Sequence, residues 1–303
     1  MQKTLIVLTG PTAVGKTELS LNLAKLFSSS IISADSRQIY KQMKIGTAAP
    51  TDEQLKMVRH FFVGTLELHQ YYSAAMYETQ VINLLDTIFQ NNDYALMTGG
   101  SMMYIDAVCN GIDDIPTVDD SVRTMMRRML EENGHDYMLS QLKMIDPQYY
   151  EIVDQKNTKR IVHALEIYYT SGKIYSSFRT GQKKQRPFRI VKVALERRRD
   201  ILFDRINRRV DMMIEQGLLD EAKSLYEYRN LNSLNTVGYK EMFNVIDGTW
   251  NLQFAVERMK KNTRVYAKKQ MTWMKKDCDI QWVNIDECTQ EEALKKIELL
   301  VGK

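Results

Sequence analysis

Over the first hundred residues, short apolar runs alternate with stretches whose apolar positions recur at helical spacing. Residues 4–8 form a β-rich apolar run that stops at Thr9-Gly10-Pro11. Beyond it Leu19, Leu23 and Leu26 fall four and three residues apart, so the order is strand, glycine-bearing loop, helix. Ile31 and Ile32 mark a second short strand that ends at Asp35, and residues 94–98 a third, stopped by Gly99-Gly100. Between these, residues 77–90 carry Val81, Leu84, Leu85 and Ile88 on one helical face. Buried strands alternating with helices predict an α/β fold with a parallel sheet covered on both sides.

The pattern changes after Asp113-Asp114-Ile115-Pro116. From there to about residue 186 it is helical, with Met and Tyr on the apolar faces and no strand, until residues 190–195 read as a strand again. The expected organisation is therefore a catalytic core of residues 1–112 and 187–303 interrupted by a helical insertion, 113–186. Further helices are expected over 199–216, 219–228 and 252–276, and one more amphipathic helix in the tail after Val283. The cluster Met125, Met126 and Met129 reads as core filler, a usual role for this flexible side chain.

Composition adds exclusions. The chain has 303 residues, 44% hydrophobic and 26% charged, which argues for a folded protein over a disordered one. No run approaches the length of a membrane span, and no basic-then-apolar signal segment opens the chain. Cys109, Cys278 and Cys288 are too scattered for a disulfide framework or a zinc site, so a cytoplasmic protein is expected. Charge is divided unevenly: residues 1–150 hold 12 basic against 17 acidic residues, residues 151–303 hold 30 against 21. Sixteen basic and four acidic residues lie in 156–209, and 258–276 has eight basic residues and no acid. Such asymmetry suits a polyanion, although a solvated helix face would also explain it.

The loop after the first strand reads Gly10-Pro11-Thr12-Ala13-Val14-Gly15-Lys16-Thr17, the G-x-x-x-x-G-K-[ST] spacing of a P-loop, and it lies between a strand and a helix. Glycines let backbone N–H groups curl round a polyphosphate, and the helix N-terminus adds partial positive charge. Lys16 is expected to reach phosphate oxygens, and Thr17 to hold Mg²⁺. A P-loop NTPase would also place an acid at the end of another strand. The third strand ends in Thr98-Gly99-Gly100, without an acid, whereas the second ends in Asp35. Asp35 thus sits where open α/β sheets bind ligands, able to hold metal through water or to take a proton; a helix N-cap is the alternative.

Taken together, the segments resemble the tRNA dimethylallyltransferase (tRNA isopentenyltransferase) family. They run in order as GPTAVGKT (10–17), DSRQIY (35–40), IGTAAP (45–50), YSAA (72–75), GGSMMY (99–104), KRIVHALE (159–166), RINRRVDMM (205–213), GLLDEA (217–222), VGYKE (237–241) and TRVYAKKQMTW (263–273). The resemblance implies a P-loop-type core that grips dimethylallyl diphosphate and transfers its dimethylallyl group to N6 of adenosine 37 of tRNA, releasing pyrophosphate. It further implies Asp35 as the base on N6, with Lys16, Mg²⁺ at Thr17, the loop amides and an arginine neutralising the leaving group. Arg205 is the expected arginine and Arg209 the reserve, the latter otherwise read as part of a solvated helix face. Ser101 is expected to touch substrate or to cap the helix that follows. The tRNA contacts implied are Asp35, Ser36, Arg37, Gln38, Ser101, Arg123, Lys159, Arg160, His163, and Val237, Gly238, Tyr239, Lys240 and Glu241. The insertion would clasp the anticodon arm, and the chain is expected to act as a monomer.

The chain departs from the family pattern at several positions. GGSMMY has Met102 where glycine is usual and Ser101 in place of threonine; QMKIGTAAP has Lys44 for an acid and Ala49 for a lysine. His163 and Lys269 replace arginines, and His60-Phe61-Phe62-Val63-Gly64 replaces a His-His-Leu-Ile-Asp run. None of these changes touches the P-loop or Asp35. Rival readings are a P-loop kinase, an enzyme that prenylates free adenine nucleotides, and a nucleotide-switched RNA-binding protein. The first two give no reason for the basic stretches, and the third leaves Asp35 without a proton to take.

Overall fold

The computed structural model describes residues 2–302. Six strands, β1 (Thr4–Thr9), β2 (Ile31–Ala34), β3 (His60–Phe61), β4 (Tyr94–Gly99), β5 (Arg189–Glu196) and β6 (Gln281–Asn284), form one sheet in the order β3-β2-β4-β1-β5-β6. Every pairing is parallel, so all six carboxyl ends point to the same edge of the sheet. The apolar runs of β1, β2 and β4 are buried on both faces, as their lack of polar alternation requires. One face packs Ile6, Leu8, Ile31 and Leu96 against α1 (Lys16–Leu26). The other packs Leu5, Val7, Ile32 and Met97 against α3 (Ala74–Asn91) and α4 (Met102–Asn110), while the short α2 (Asp52–Met57) lies between β2 and β3 in the chain.

Residues 111–184 form a separate compact unit of helices: α5 (Asp120–Ile145), α6 (Pro147–Ile152), α7 (Thr158–Ser171) and α8 (Tyr175–Phe178). Its core is Met126, Met138, Leu142, Tyr149, Val153, Ile161, Ala164 and Leu165. Met129 packs against this core, but Met125 faces solvent, because it lies one position off the apolar stripe. Gly134 interrupts α5 with φ 78° and ψ −178°, so the apparent long helix is two helices joined at a break.

The remainder returns to the first unit as α9 (Arg199–Glu215), α10 (Leu218–Ser224), α11 (Tyr239–Ile246), α12 (Leu252–Met274) and α13 (Gln290–Val301). Strands β3 and β6 were not expected, being too short to show periodicity, and α11 hides in eight residues after a positive-φ glycine. The helix expected over 219–228 stops at Ser224 and passes into a 3₁₀ turn at Tyr226–Tyr228.

Candidate active site

At the sheet edge formed by the ends of β1, β2 and β4, a cleft of about 1030 Å³ is lined by the P-loop, Asp35 and the inner face of α9. The P-loop leaves β1 at Gly10, whose φ of +143° excludes other residues; a Cβ there would meet the Leu195 carbonyl oxygen at 2.8 Å. Helix α1 starts at Lys16 with no side chain capping its first turn, so its N-terminal amides remain available to an anion. The loop is braced from outside. Gln270 on α12 accepts from Thr12 N–H (2.9 Å) and donates to the Gly100 carbonyl (2.8 Å), tying the P-loop to the end of β4. Arg197 Nε donates to the Val14 carbonyl and Arg205 Nε to the Ala13 carbonyl, both at 2.9 Å.

The Lys16 ammonium folds back onto the carbonyls of Gly10 (2.9 Å) and Pro11 (3.0 Å). Burial pulls its pKa down to about 7, and the neighbouring Arg209 pushes the same way against the opposing pull of Asp35. The expectation that Arg209 belongs to a solvated face is overturned. It reaches inward from α9, donating to Thr12 Oγ1 (3.1 Å) and the Thr47 carbonyl (3.4 Å), and burial lowers its pKa too. Arg205 is the more exposed of the two. The arginines are four residues apart, so one helical face carries both to the cleft.

Asp35 follows β2 directly. Its Oδ1 accepts from the N–H groups of Arg37 (2.9 Å) and Gln38 (3.2 Å), capping a turn and not a helix. Oδ2 takes no hydrogen bond from the described residues and Asp35 lines the cleft, so one oxygen fixes the side chain and the other is free to accept a proton. The Ser101 hydroxyl, expected to touch substrate or to cap the following helix, accepts from Ser36 N–H (2.8 Å) and donates to Ser36 Oγ (3.1 Å). It thereby anchors the turn that aims Asp35. Tyr266 on α12 also lines the cleft near Asp35, and burial pushes its phenol up to about 12.

The implied RNA contacts divide. Arg37 gives Nη1 to the carbonyls of Asn232 (2.8 Å) and Ser233 (3.0 Å), and Gln38 gives Nε2 to those of Thr47 and Ala48 (both 3.1 Å). Within 237–241 most positions are turned into the protein. Tyr239 is fully buried and donates to Glu221 Oε1 (2.6 Å); Glu241 is buried and accepts from Gly238 N–H and Asn262 (both 2.7 Å). Gly238 is buried and Val237 packs on that core, which leaves Lys240 as the exposed residue. Tyr40 is buried as well. Packing holds these residues together: Glu221 accepts from the N–H groups of Lys44, Ile45 and Gly46 at 2.8–3.1 Å, and a Cβ on Gly46 would lie 2.6 Å from the Tyr239 ring. The segments 45–50, 217–222 and 237–241 are thus one packed corner beside the cleft.

In the helical unit, Lys159 and Arg160 are exposed on the first turn of α7, which Asn157 caps. His163 follows one turn later, against Glu166 (3.3 Å) and the edge of the Tyr175 ring, and Arg123 on α5 pairs with Asp120 at 3.8 Å. Sequence reasoning missed Arg197, Glu221, Tyr266 and Gln270. Glu221, Tyr266 and Gln270 lay inside quoted motifs, but their partners are distant in the chain.

Residues 38–277 match the sequence profile of a family described as IPP transferase. Two proteins named tRNA dimethylallyltransferase 1 are close in sequence. That of Bacteroides fragilis is 60% identical over 98% of this chain and 98% of its own length; that of Phocaeicola vulgatus is 59% identical over 96% and 97%. Among solved structures, a eukaryotic dimethylallyltransferase acting on tRNA superposes with a TM-score of 0.84 at 27% identity, covering 99% of this chain and 80% of that one.

Proposed function

The chain belongs to the IPP transferase family and transfers a dimethylallyl group to adenosine 37 of tRNA, and we propose that the donor is dimethylallyl diphosphate, seated on the P-loop, with Asp35 as the base. The observation that carries the residue assignment is the cleft itself, where Asp35, Lys16 and Arg209 sit close enough for their charges to act on one another while Asp35 Oδ2 stays unpaired.

An adenine amino group is a weak nucleophile because its lone pair is delocalised into the ring. Rate therefore has to come from alignment and from stabilising the departing charge. N6 forms a bond to the allylic carbon as the carbon–oxygen bond to the diphosphate breaks; the electron pair leaves with pyrophosphate and the N6 proton passes to Asp35. Lys16, the loop amides and Arg209 hold the leaving group, with Arg205 at the rim. Ser101 positions Asp35 through Ser36. The adenine must leave its stack to reach this cleft, so it enters as an extruded base.

Mg²⁺ fits the donor set. The described residues hold no cluster of three or more His, Cys, Asp or Glu side chains able to cage a metal, and the Thr17 hydroxyl lines the cleft at the P-loop. Mg²⁺ suits such a site because it binds through few protein ligands plus phosphate oxygens and water. When bound it would supply charge neutralisation to the diphosphate, held by Thr17. Lys159, Arg160, His163 and Arg123 of the helical unit, with Lys240, are the residues proposed to follow the RNA backbone. We place the enzyme in the cytoplasm as a monomer; no helix among the described residues is long and apolar enough to cross a membrane.

The test is to incubate the protein with Mg²⁺, unmodified tRNA and isotopically labelled dimethylallyl diphosphate, with ATP offered in a parallel reaction. Label is expected at adenosine 37, with Asp35→Asn slower by roughly 10²–10⁴-fold while binding both substrates. Asp35→Asn activity within a few fold of wild type would remove Asp35 as the base. ATP consumption without labelled tRNA would replace the reading with a kinase.

A further inference from the structure

Thr98 stands out among the polar side chains of the cleft. Its Oγ1 is buried and meets no hydrogen-bond partner among the described residues, a costly arrangement unless a bound group or water satisfies it. On the adjacent strand its register partner is Ser33, a buried residue whose hydroxyl likewise makes no hydrogen bond to a described residue. Alternation along the strands puts Ile31, Ser33 and Asp35 on one face of β2, and Leu96, Thr98 and Gly100 on the same face of β4. Ile31 and Leu96 pack against α1, and above them the two hydroxyls line the cleft together with Thr17 and Ser20 of that helix. On its other side Thr98 pairs with Leu8 of β1, two residues before the P-loop opens.

In a P-loop NTPase an acidic residue at a strand end shares the Mg²⁺ ion with the loop's Ser or Thr. We propose that Ser33 and Thr98, side by side across β2 and β4, form an uncharged seat for the water shell of the divalent cation that enters with the diphosphate, in place of that acid. The inference rests on the Mg²⁺ reading above and goes beyond it in assigning two residues. Hydroxyls accept from metal-bound water without attracting a bare cation, so the cation arrives with its diphosphate. A carboxylate at position 98 would instead attract the bare cation.

Calorimetric titration of the full chain with pyrophosphate, in Mg²⁺ and in EDTA, tests this. Wild type is expected to bind more tightly in Mg²⁺. Thr98→Val, equal in size but without the hydroxyl, is expected to lose about three- to tenfold of that affinity in Mg²⁺ and none in EDTA, with Thr98→Ser restoring it. Thr98→Asp is expected to bind Mn²⁺ without pyrophosphate, seen as loss of the free-ion EPR signal, where wild type does not. An undiminished Mg²⁺ gain in Thr98→Val, an equal loss in EDTA (direct contact with the anion), or no Mn²⁺ binding by Thr98→Asp would overturn the assignment. A wild type that binds equally in Mg²⁺ and EDTA would overturn the metal reading itself, and this inference with it.

Discussion

Lys16 should make diphosphate binding consume a proton. In the ligand-free cleft burial and Arg209 bring its pKa down to about 7, from an ordinary 10.5. A diphosphate laid against the ammonium opposes both effects, so the bound-state pKa rises. A group whose pKa is raised by binding favours the complex fully below its free value and loses that contribution as pH climbs toward the bound one. If binding restores the ordinary value, uptake is roughly 0.1 proton at pH 6, 0.5 at pH 7 and 0.9 at pH 8. Above pH 7 affinity then falls by up to about tenfold per unit, or about 1.4 kcal/mol. The ligand's own last phosphate ionisation, near ~6, is complete over most of that range and does not mask the effect. Titrating dimethylallyl diphosphate calorimetrically in buffers of different ionisation enthalpy gives the proton count directly. Lys16→Arg, whose guanidinium stays charged, should abolish the uptake. An uptake near zero at pH 8 in wild type, or one that survives Lys16→Arg, would refute the reasoning.

The same shift predicts stability. The unfolded chain holds more protons than the native one between about pH 7 and 10.5, so the ligand-free protein should gain stability with rising pH there, and Lys16→Met should flatten that rise in thermal melts. Gln270→Leu orphans Thr12 N–H and the Gly100 carbonyl and should cost about 2–4 kcal/mol in urea unfolding; a loss under 0.5 would mean that the bridge is dispensable. Tyr239→Phe should cost about 1–2 kcal/mol through Glu221 and leave tRNA affinity unchanged, whereas weaker tRNA binding at full stability would return Tyr239 to the RNA surface. Replacing Lys159 and Arg160 together by Ala should lower the slope of log affinity for tRNA against log salt by roughly 1.5 without touching diphosphate binding. An unchanged slope would take the first turn of α7 off the RNA path.

Local signals were enough wherever function depends on neighbouring residues. The P-loop spelling implies its own backbone geometry, and Asp35 at a strand end is placed by alternation and topology alone. The turn it caps was legible as a capping tendency, although the capped element is a loop. Residues 237–241 show the opposite case. They stand together in a motif, but a motif does not distinguish a residue that touches RNA from one that packs beneath a loop. Their partners, Glu221, Asn262 and the 44–46 backbone, are far away in sequence.

The arginines of α9 mark the same boundary. The resemblance assigned the leaving group to Arg205 and kept Arg209, four residues on, as the reserve. Which one is buried depends on where α9 crosses the P-loop, and that crossing puts Arg209 against Thr12 and leaves Arg205 at the rim. The alternation of strand and helix, the loop chemistry and the position of the base follow from short-range periodicity and from stereochemistry that acts over a few residues. Burial, the lowered pKa of Lys16, the brace from Gln270 and the paired hydroxyls of Ser33 and Thr98 follow only from packing. Each is a property of groups brought within a few ångströms by elements far apart in the chain.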